Sequence, residues 1–253
     1  MTARFTDRTV LVVGGGSGIG RATARAFARE GATVVVAGTT EATLSETVAL
    51  ITEDGGRADL VRADVTCEEE VERMVATVVE RHGGLDVAHN NAGVFGQAAP
   101  VADLDPDTWR RVMDVNVTGV FLAMRREITH MRAHGGGVIV NTSSNIGAHQ
   151  RLAGLAAYGA SKAALSHLTR TAALDHIGDG VRINAVSPGP VDAPMSLLPG
   201  ESAEQRQARI APSVPAGRIG GLDEVSSAVL WLASDEAGFT VGHDLVLDGG
   251  ITA

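Results

Sequence analysis

The chain has 253 residues, 44% hydrophobic but only 3% aromatic, enough apolar material for one large aliphatic core and close to the upper size for a single domain. A formal charge of −9 argues against nucleic acid and anionic membrane surfaces as partners. The lone cysteine, Cys67, excludes an internal disulfide framework, and no stretch has the length of a bilayer span or the pattern of a secretory leader, so a soluble cytoplasmic protein is expected.

In chain order, Thr9–Val13 reads as a buried strand that runs into Gly14-Gly15-Gly16-Ser17-Gly18-Ile19-Gly20 and then a helix over Ile19–Glu30. A second strand is expected at Thr33–Ala37, ending in Gly38-Thr39-Thr40, and a helix at Glu41–Asp54. A third strand spans Asp59–Ala63, and Thr66 with Glu69 fits a capping box before a helix over Glu68–His82. Leu85–His89 is the fourth strand, followed by Asn90-Asn91-Ala92-Gly93 and one long helix over Thr108–Ala133. Val138–Thr142 is the fifth strand, with Ser143 and Ser144 behind it, and Leu155–Ile177 the next helix. Val181–Ser187 is the sixth strand, and the proline-rich stretch from about 188 to 215 reads as an irregular lid. A helix over Asp223–Ser234 and a strand over His243–Leu247 complete the series. Strands rich in Val, Ile and Leu alternating with helices predict an α/β fold: one Rossmann-type domain over residues 1–253, a doubly wound sheet of about seven parallel strands with helices on both faces.

Two features carry chemistry. The glycine run places flexible backbone between a strand and a helix N-terminus, where a dinucleotide pyrophosphate sits. The second strand ends without the carboxylate that holds an NAD ribose, and without an arginine for a 2′-phosphate, so Thr39 and Thr40 are the candidate contacts and NADP(H) is favoured over NAD(H). Tyr158 is the sole tyrosine and Lys162 the sole lysine among 21 Lys and Arg residues. On a helix the two lie one turn apart, so the ammonium is expected to lower the phenol pKa and make Tyr158 a general acid/base for an alcohol oxygen. His130 and His134 have helical spacing but lack a third ligand, so no metal site is expected.

With the glycine loop, Asn90-Asn91-Ala92-Gly93 and Tyr158-Gly-Ala-Ser-Lys162, the chain resembles the short-chain dehydrogenase/reductase family over essentially its whole length. The resemblance implies a catalytic set of Asn116, Ser144, Tyr158 and Lys162. It implies cofactor contacts from Gly14, Ser17, Gly18, Ile19 and Gly20 at the pyrophosphate, Asp64 and Val65 at the adenine, Asn91, Ala92 and Gly93 in the middle, and Pro188, Gly189 and Val191 near the nicotinamide. Ser143 competes with Ser144; the Gly147 three residues on favours Ser144. Three residues depart from the family pattern: Val13, His89 and Ala193. Candidate substrate contacts are Phe95, Asn145, His149, Gln150 and Met195, although the middle three suit solvent equally well. The implied reaction is hydride transfer between a secondary alcohol and a ketone; the alternative is a non-catalytic NADP(H)-sensing regulator or scaffold. A small-molecule carbonyl or alcohol substrate and a homotetramer complete the expectation.

Overall fold

The computed structural model describes residues 3–253. Seven parallel strands form one sheet in the order β3-β2-β1-β4-β5-β6-β7. They are β1 (Thr9–Val13), β2 (Thr33–Gly38), β3 (Arg57–Arg62), β4 (Val87–Asn90), β5 (Gly137–Thr142), β6 (Val181–Pro188) and β7 (Asp244–Leu247). The helices are α1 (Gly18–Arg29), α2 (Glu41–Glu53), α3 (Glu68–His82), α4 (Pro106–Met113), α5 (Gly119–Ala133), α6 (Ala156–His176), α7 (Ala203–Ile210) and α8 (Leu222–Ala233). No helix among the described residues is long and apolar enough to cross a membrane.

Alternation along the strands divides the core between two faces. Leu11 and Val13 of β1 join a cluster with α3, α5 and α6, whereas Val10 and Val12 join another with α1, α2 and α8. Both faces are therefore covered, which is why these strands read as unbroken aliphatic runs. The strand order reverses between β1 and its neighbour β4, opening a crevice beyond their carboxyl ends.

Three local expectations are corrected. The helix expected over Thr108–Ala133 starts earlier, at Pro106, where the Asp105 carboxylate accepts from the Thr108 amide at 2.9 Å. It is then interrupted by a five-residue π turn, Asp114–Thr118, that turns Asn116 into the interior. The Thr66/Glu69 capping box is absent: the Thr66 hydroxyl donates to Asp64 at 2.8 Å, and Glu70, not Glu69, reaches back to accept from the Asp64 amide. The lid is partly ordered into α7, whose Ser202–Gln205 capping box starts the helix.

Candidate active site

The carboxyl ends of the strands surround one cleft of about 1420 Å³. At its floor the first helix begins with Ser17 in an extended conformation, with no side-chain cap and no acidic residue in its first turn. Its amides and dipole therefore remain available to an anion. Gly14 has φ +81°, and a Cβ there would lie 2.7 Å from the Ala92 amide nitrogen. The loop is held from below: the Gly14 amide donates to the Ala37 carbonyl at 2.8 Å, and Asn91 Nδ2 donates to the Gly14 carbonyl at 3.2 Å. Gly14, Ser17, Gly18 and Ile19 line the cleft. Gly20 lies behind them in α1, where any Cβ would overlap the Gly14 carbonyl.

Gly38 and Thr39 line the far end, with Asp64 and Val65 beside them. Thr40 does not line it; it precedes α2 and makes no side-chain cap. The Thr66 amide and hydroxyl hold the Asp64 carboxyl below the usual carboxylate range. Asn91, Ala92 and Gly93 line the middle, and Pro188, Gly189 and Val191 the other wall.

Ser144, Tyr158 and Lys162 all open on the cleft. Tyr158 is 8% exposed, and its ring packs on Phe95 with centroids 4.7 Å apart. Lys162 Nζ donates to the Thr142 carbonyl at 2.8 Å and sits 5.9 Å from the Tyr158 ring centroid. Burial pushes the Lys162 ammonium down to about 8. Burial also raises the Tyr158 phenol above its ordinary value, against the opposing hydrogen bond of Ser144. The expected acidification of Tyr158 by Lys162 is thus not the balance found: the low-polarity surroundings of both groups disfavour their charged forms.

The two serines separate by direction. Ser143 Oγ donates to the Lys162 carbonyl at 3.0 Å and pairs with Ser166 Oγ at 2.9 Å, so its hydroxyl is committed to α6. Ser144 Oγ accepts from the Ile146 amide at 3.1 Å and reaches the phenol. Gly147, at φ +130°, lets this loop lie against α6, since a Cβ would come 2.8 Å from the Ala163 nitrogen and the Gly159 oxygen.

Asn116 does not line the cleft. Its Oδ1 accepts from the Val94 amide at 2.8 Å and its Nδ2 donates to the Val94 carbonyl at 2.9 Å, clamping the loop after β4. It still approaches Lys162: a Cβ built on Gly93 would lie 3.3 Å from Asn116 Oδ1 and 3.5 Å from Lys162 Nζ. Of the candidate substrate contacts, Phe95, Asn145, Gln150 and Met195 line the cleft. His149 does not; its Nε2 pairs with the fully buried Asp244 carboxylate at 3.0 Å, so the side chain turns toward β7. Sequence reasoning missed Ile210 and Ser213 from the lid, and Ile251 from the chain end. No periodic pattern marks them.

The three departures are accommodated. Val13 is core. Ala193 packs on the loop, 3.7 Å from a Cβ built at Gly18. His89 is wholly buried against Thr142 Oγ1 at 2.9 Å, and burial lowers its pKa to about 3, so it stays neutral. No group of three or more metal-ligating side chains occurs among the described residues. The residues present fit a dinucleotide: a side-chain-free backbone cradle, an open helix N-terminus and a buried ammonium beside Gly93.

Comparison with known proteins agrees with this geometry. Residues 14–252 match the family described as enoyl-(acyl carrier protein) reductase. The chain is 42% identical over 254 residues to cis-4-hydroxycyclohexanecarboxylate dehydrogenase of Sinomonas cyclohexanicum, covering 100% of both. It is 36% identical to cyclohexanol dehydrogenase of Acinetobacter sp. strain SE19, covering 100% of this chain and 98% of the relative. Among solved structures, a short-chain type dehydrogenase/reductase from Mycobacterium ulcerans superposes with a TM-score of 0.92 at 33% identity, covering 98% of this chain and 90% of that one. Levodione reductase superposes with a TM-score of 0.93 at 34% identity, covering 98% and 99%.

Proposed function

The chain belongs to the short-chain dehydrogenase/reductase family, and we propose that it is an NADP(H)-dependent enzyme for cyclic secondary alcohols and their ketones, with Tyr158 moving the proton. It is an NAD(P)-dependent dehydrogenase acting on CH–OH groups. One observation carries the proposal: Tyr158, Ser144 and Lys162 converge on the cleft that also holds the glycine loop.

When bound, the nicotinamide supplies the hydride that a carbonyl carbon accepts. Negative charge then grows on the carbonyl oxygen, where Tyr158 donates its proton and Ser144 donates a hydrogen bond. A phenol kept neutral by burial is already the acid this direction needs. The Lys162 ammonium offsets the charge left on the phenolate, and Asn116 fixes the neighbouring loop. Alcohol oxidation runs the proton the other way.

The substrate end supports a ring-shaped apolar substrate. Leu152, Met195, Leu197, Leu198, Ile210 and Ile251 line the cleft, as do Asn145 and Gln150, which hydrogen-bond each other at 3.2 Å. Of the three arginines that line the cleft, Arg209 and Arg110 are engaged by Glu201 and Asp107, and Arg111 acts on Asp64. Relatives named for cyclohexanol and cyclopentanol favour the same class. NADP(H) is favoured because β2 ends in Gly38-Thr39-Thr40 with no carboxylate to repel a 2′-phosphate. The homotetramer is favoured by Trp109, Phe121 and Leu174, which leave apolar surface exposed on α4, α5 and α6.

A panel of cyclohexanol, cyclopentanol, steroid alcohols and their ketones, read by nicotinamide absorbance with wild type and Tyr158→Phe, tests the reading. The variant should still bind cofactor but lose roughly 10²–10⁴-fold in kcat. A Phe variant as fast as wild type on a working substrate would sink the proton-donor assignment.

A further inference from the structure

Arg62 closes β3 directly beside Gly38, its partner in the strand register. Its Nε donates to the Thr39 carbonyl at 3.2 Å, which lays the guanidinium across the tip of β2. Among the described residues its two terminal nitrogens have no hydrogen-bond partner; the Asp64 carboxylate feels its charge without forming an ion pair with it. Gly38 and Thr39 line the cleft, and Arg62 stands at its edge, just outside the lining. A dinucleotide whose pyrophosphate rests on the glycine loop brings its adenosine ribose to this strand tip. A ribose hydroxyl there calls for an acceptor, and the tip offers no carboxylate. A 2′-phosphate calls for a cation with forked N–H groups. Arg21 is committed, donating to the Gly16 carbonyl at 2.6 Å and to Thr47 at 3.1 Å and pairing with Glu46 at 2.6 Å; Arg111 lines the cleft from α4, where it acts on the Asp64 carboxylate, and makes no hydrogen bond to the β2 tip. Arg62 enters from β3, so the sequence of β2 holds no sign of it.

We infer that Arg62 discriminates NADP(H) from NAD(H) in this protein by donating from its free guanidinium nitrogens to the adenosine 2′-phosphate. The inference rests on the NADP(H) reading above. It extends that reading from the absence of a carboxylate to the presence of a specific donor.

Calorimetric titration of wild type, Arg62→Ala and Arg62→Lys with NADPH, NADH, 2′,5′-ADP and 5′-AMP tests it. Arg62 is exposed and anchored through a single hydrogen bond, so the variants should fold, and a melting curve confirms that they do. Wild type should bind NADPH and 2′,5′-ADP roughly 10-fold or more tighter than their partners without the phosphate. Arg62→Ala should abolish that preference while NADH affinity stays within about twofold. Arg62→Lys should retain part of it. Should wild type prefer NADPH and Arg62→Ala keep the preference, the role of Arg62 is overturned and the cofactor reading survives. Should wild type prefer NADH, or fail to discriminate, both are overturned.

Discussion

Glu127 lies in α5 between arginine and isoleucine, yet its side chain is fully buried. Its Oε2 accepts from Asn90 Nδ2 at 3.0 Å, and the same amide group donates to Asn141 Oδ1 at 3.1 Å. Both Asn90 donors are thereby used, and Asn90 Oδ1 and Glu127 Oε1 remain without partners. A cluster with surplus acceptors favours a protonated carboxyl, and burial raises Glu127 from 4.5 to about 7. The folded state then binds a proton that the unfolded chain releases between those two values. The stabilising contribution is complete below pH 4.5, falls as pH rises toward 7 and is lost above it. A shift of this size corresponds to roughly 3 kcal/mol. Glu127→Gln keeps the shape, supplies an N–H donor and removes the titration. Urea midpoints measured at half-unit steps from pH 4.5 to 8 should show the variant close to wild type at the acid end. At pH 8 it should be more stable by about 2–3 kcal/mol. Parallel curves for the two proteins across that range would refute a protonated buried carboxyl.

Two other outcomes follow from the site. Carbonyl reduction should decline as pH passes about 8, where Lys162 loses its proton, and alcohol oxidation should gain at alkaline pH because burial raises the Tyr158 phenol; initial rates in both directions against pH check this. The cost of burying the Lys162 ammonium is complete below pH 8 and relieved by 10.5. Lys162→Met should therefore be inactive yet more stable at neutral pH, by less than the roughly 3 kcal/mol of that shift because the Thr142 carbonyl loses its donor. Gly14→Ala should destabilise by about 1–3 kcal/mol through its left-handed backbone alone, and its overlap with Ala92 should also displace the loop, so thermal melting and NADPH titration should worsen together.

Strands were legible because a parallel strand buried on both faces must be aliphatic at every position, as in β1 and β2. The glycine loop was legible because close backbone approach excludes side chains, and that exclusion is written directly as glycine. What failed depended on partners remote in sequence. The π turn at Asp114–Thr118 leaves no mark on helical periodicity. Glu127, flanked by Arg126 and Ile128, has the pattern of a surface residue until Asn90, 37 positions away, is placed above it. His149 was open between substrate and solvent; its half-buried imidazole is held by Asp244, which arrives from the last strand. Arg62 carries no mark of its place at the β2 tip, because it belongs to β3 and crosses to Thr39 only in the fold.

The end of β5 shows how one short segment sets the geometry of the site. Thr142 uses its carbonyl to hold Lys162 and its hydroxyl to meet the neutral His89. Ser143 grips α6 one turn further along, through the Lys162 carbonyl and Ser166. Ser144 opens on the cleft, its Oγ accepting from the Ile146 amide and reaching the Tyr158 phenol, where the proposed reaction needs it. Chain direction alone gives three successive residues three tasks, because side chains leave an extended backbone on alternating sides. The same contacts fix α6 against the sheet, so the Tyr158 and Lys162 side chains are placed by the scaffold and not by each other. This explains how the phenol can sit ready as an acid without being ionised by its neighbour. Lys162 is oriented by a backbone carbonyl, and its charge becomes important when Tyr158 gives up its proton.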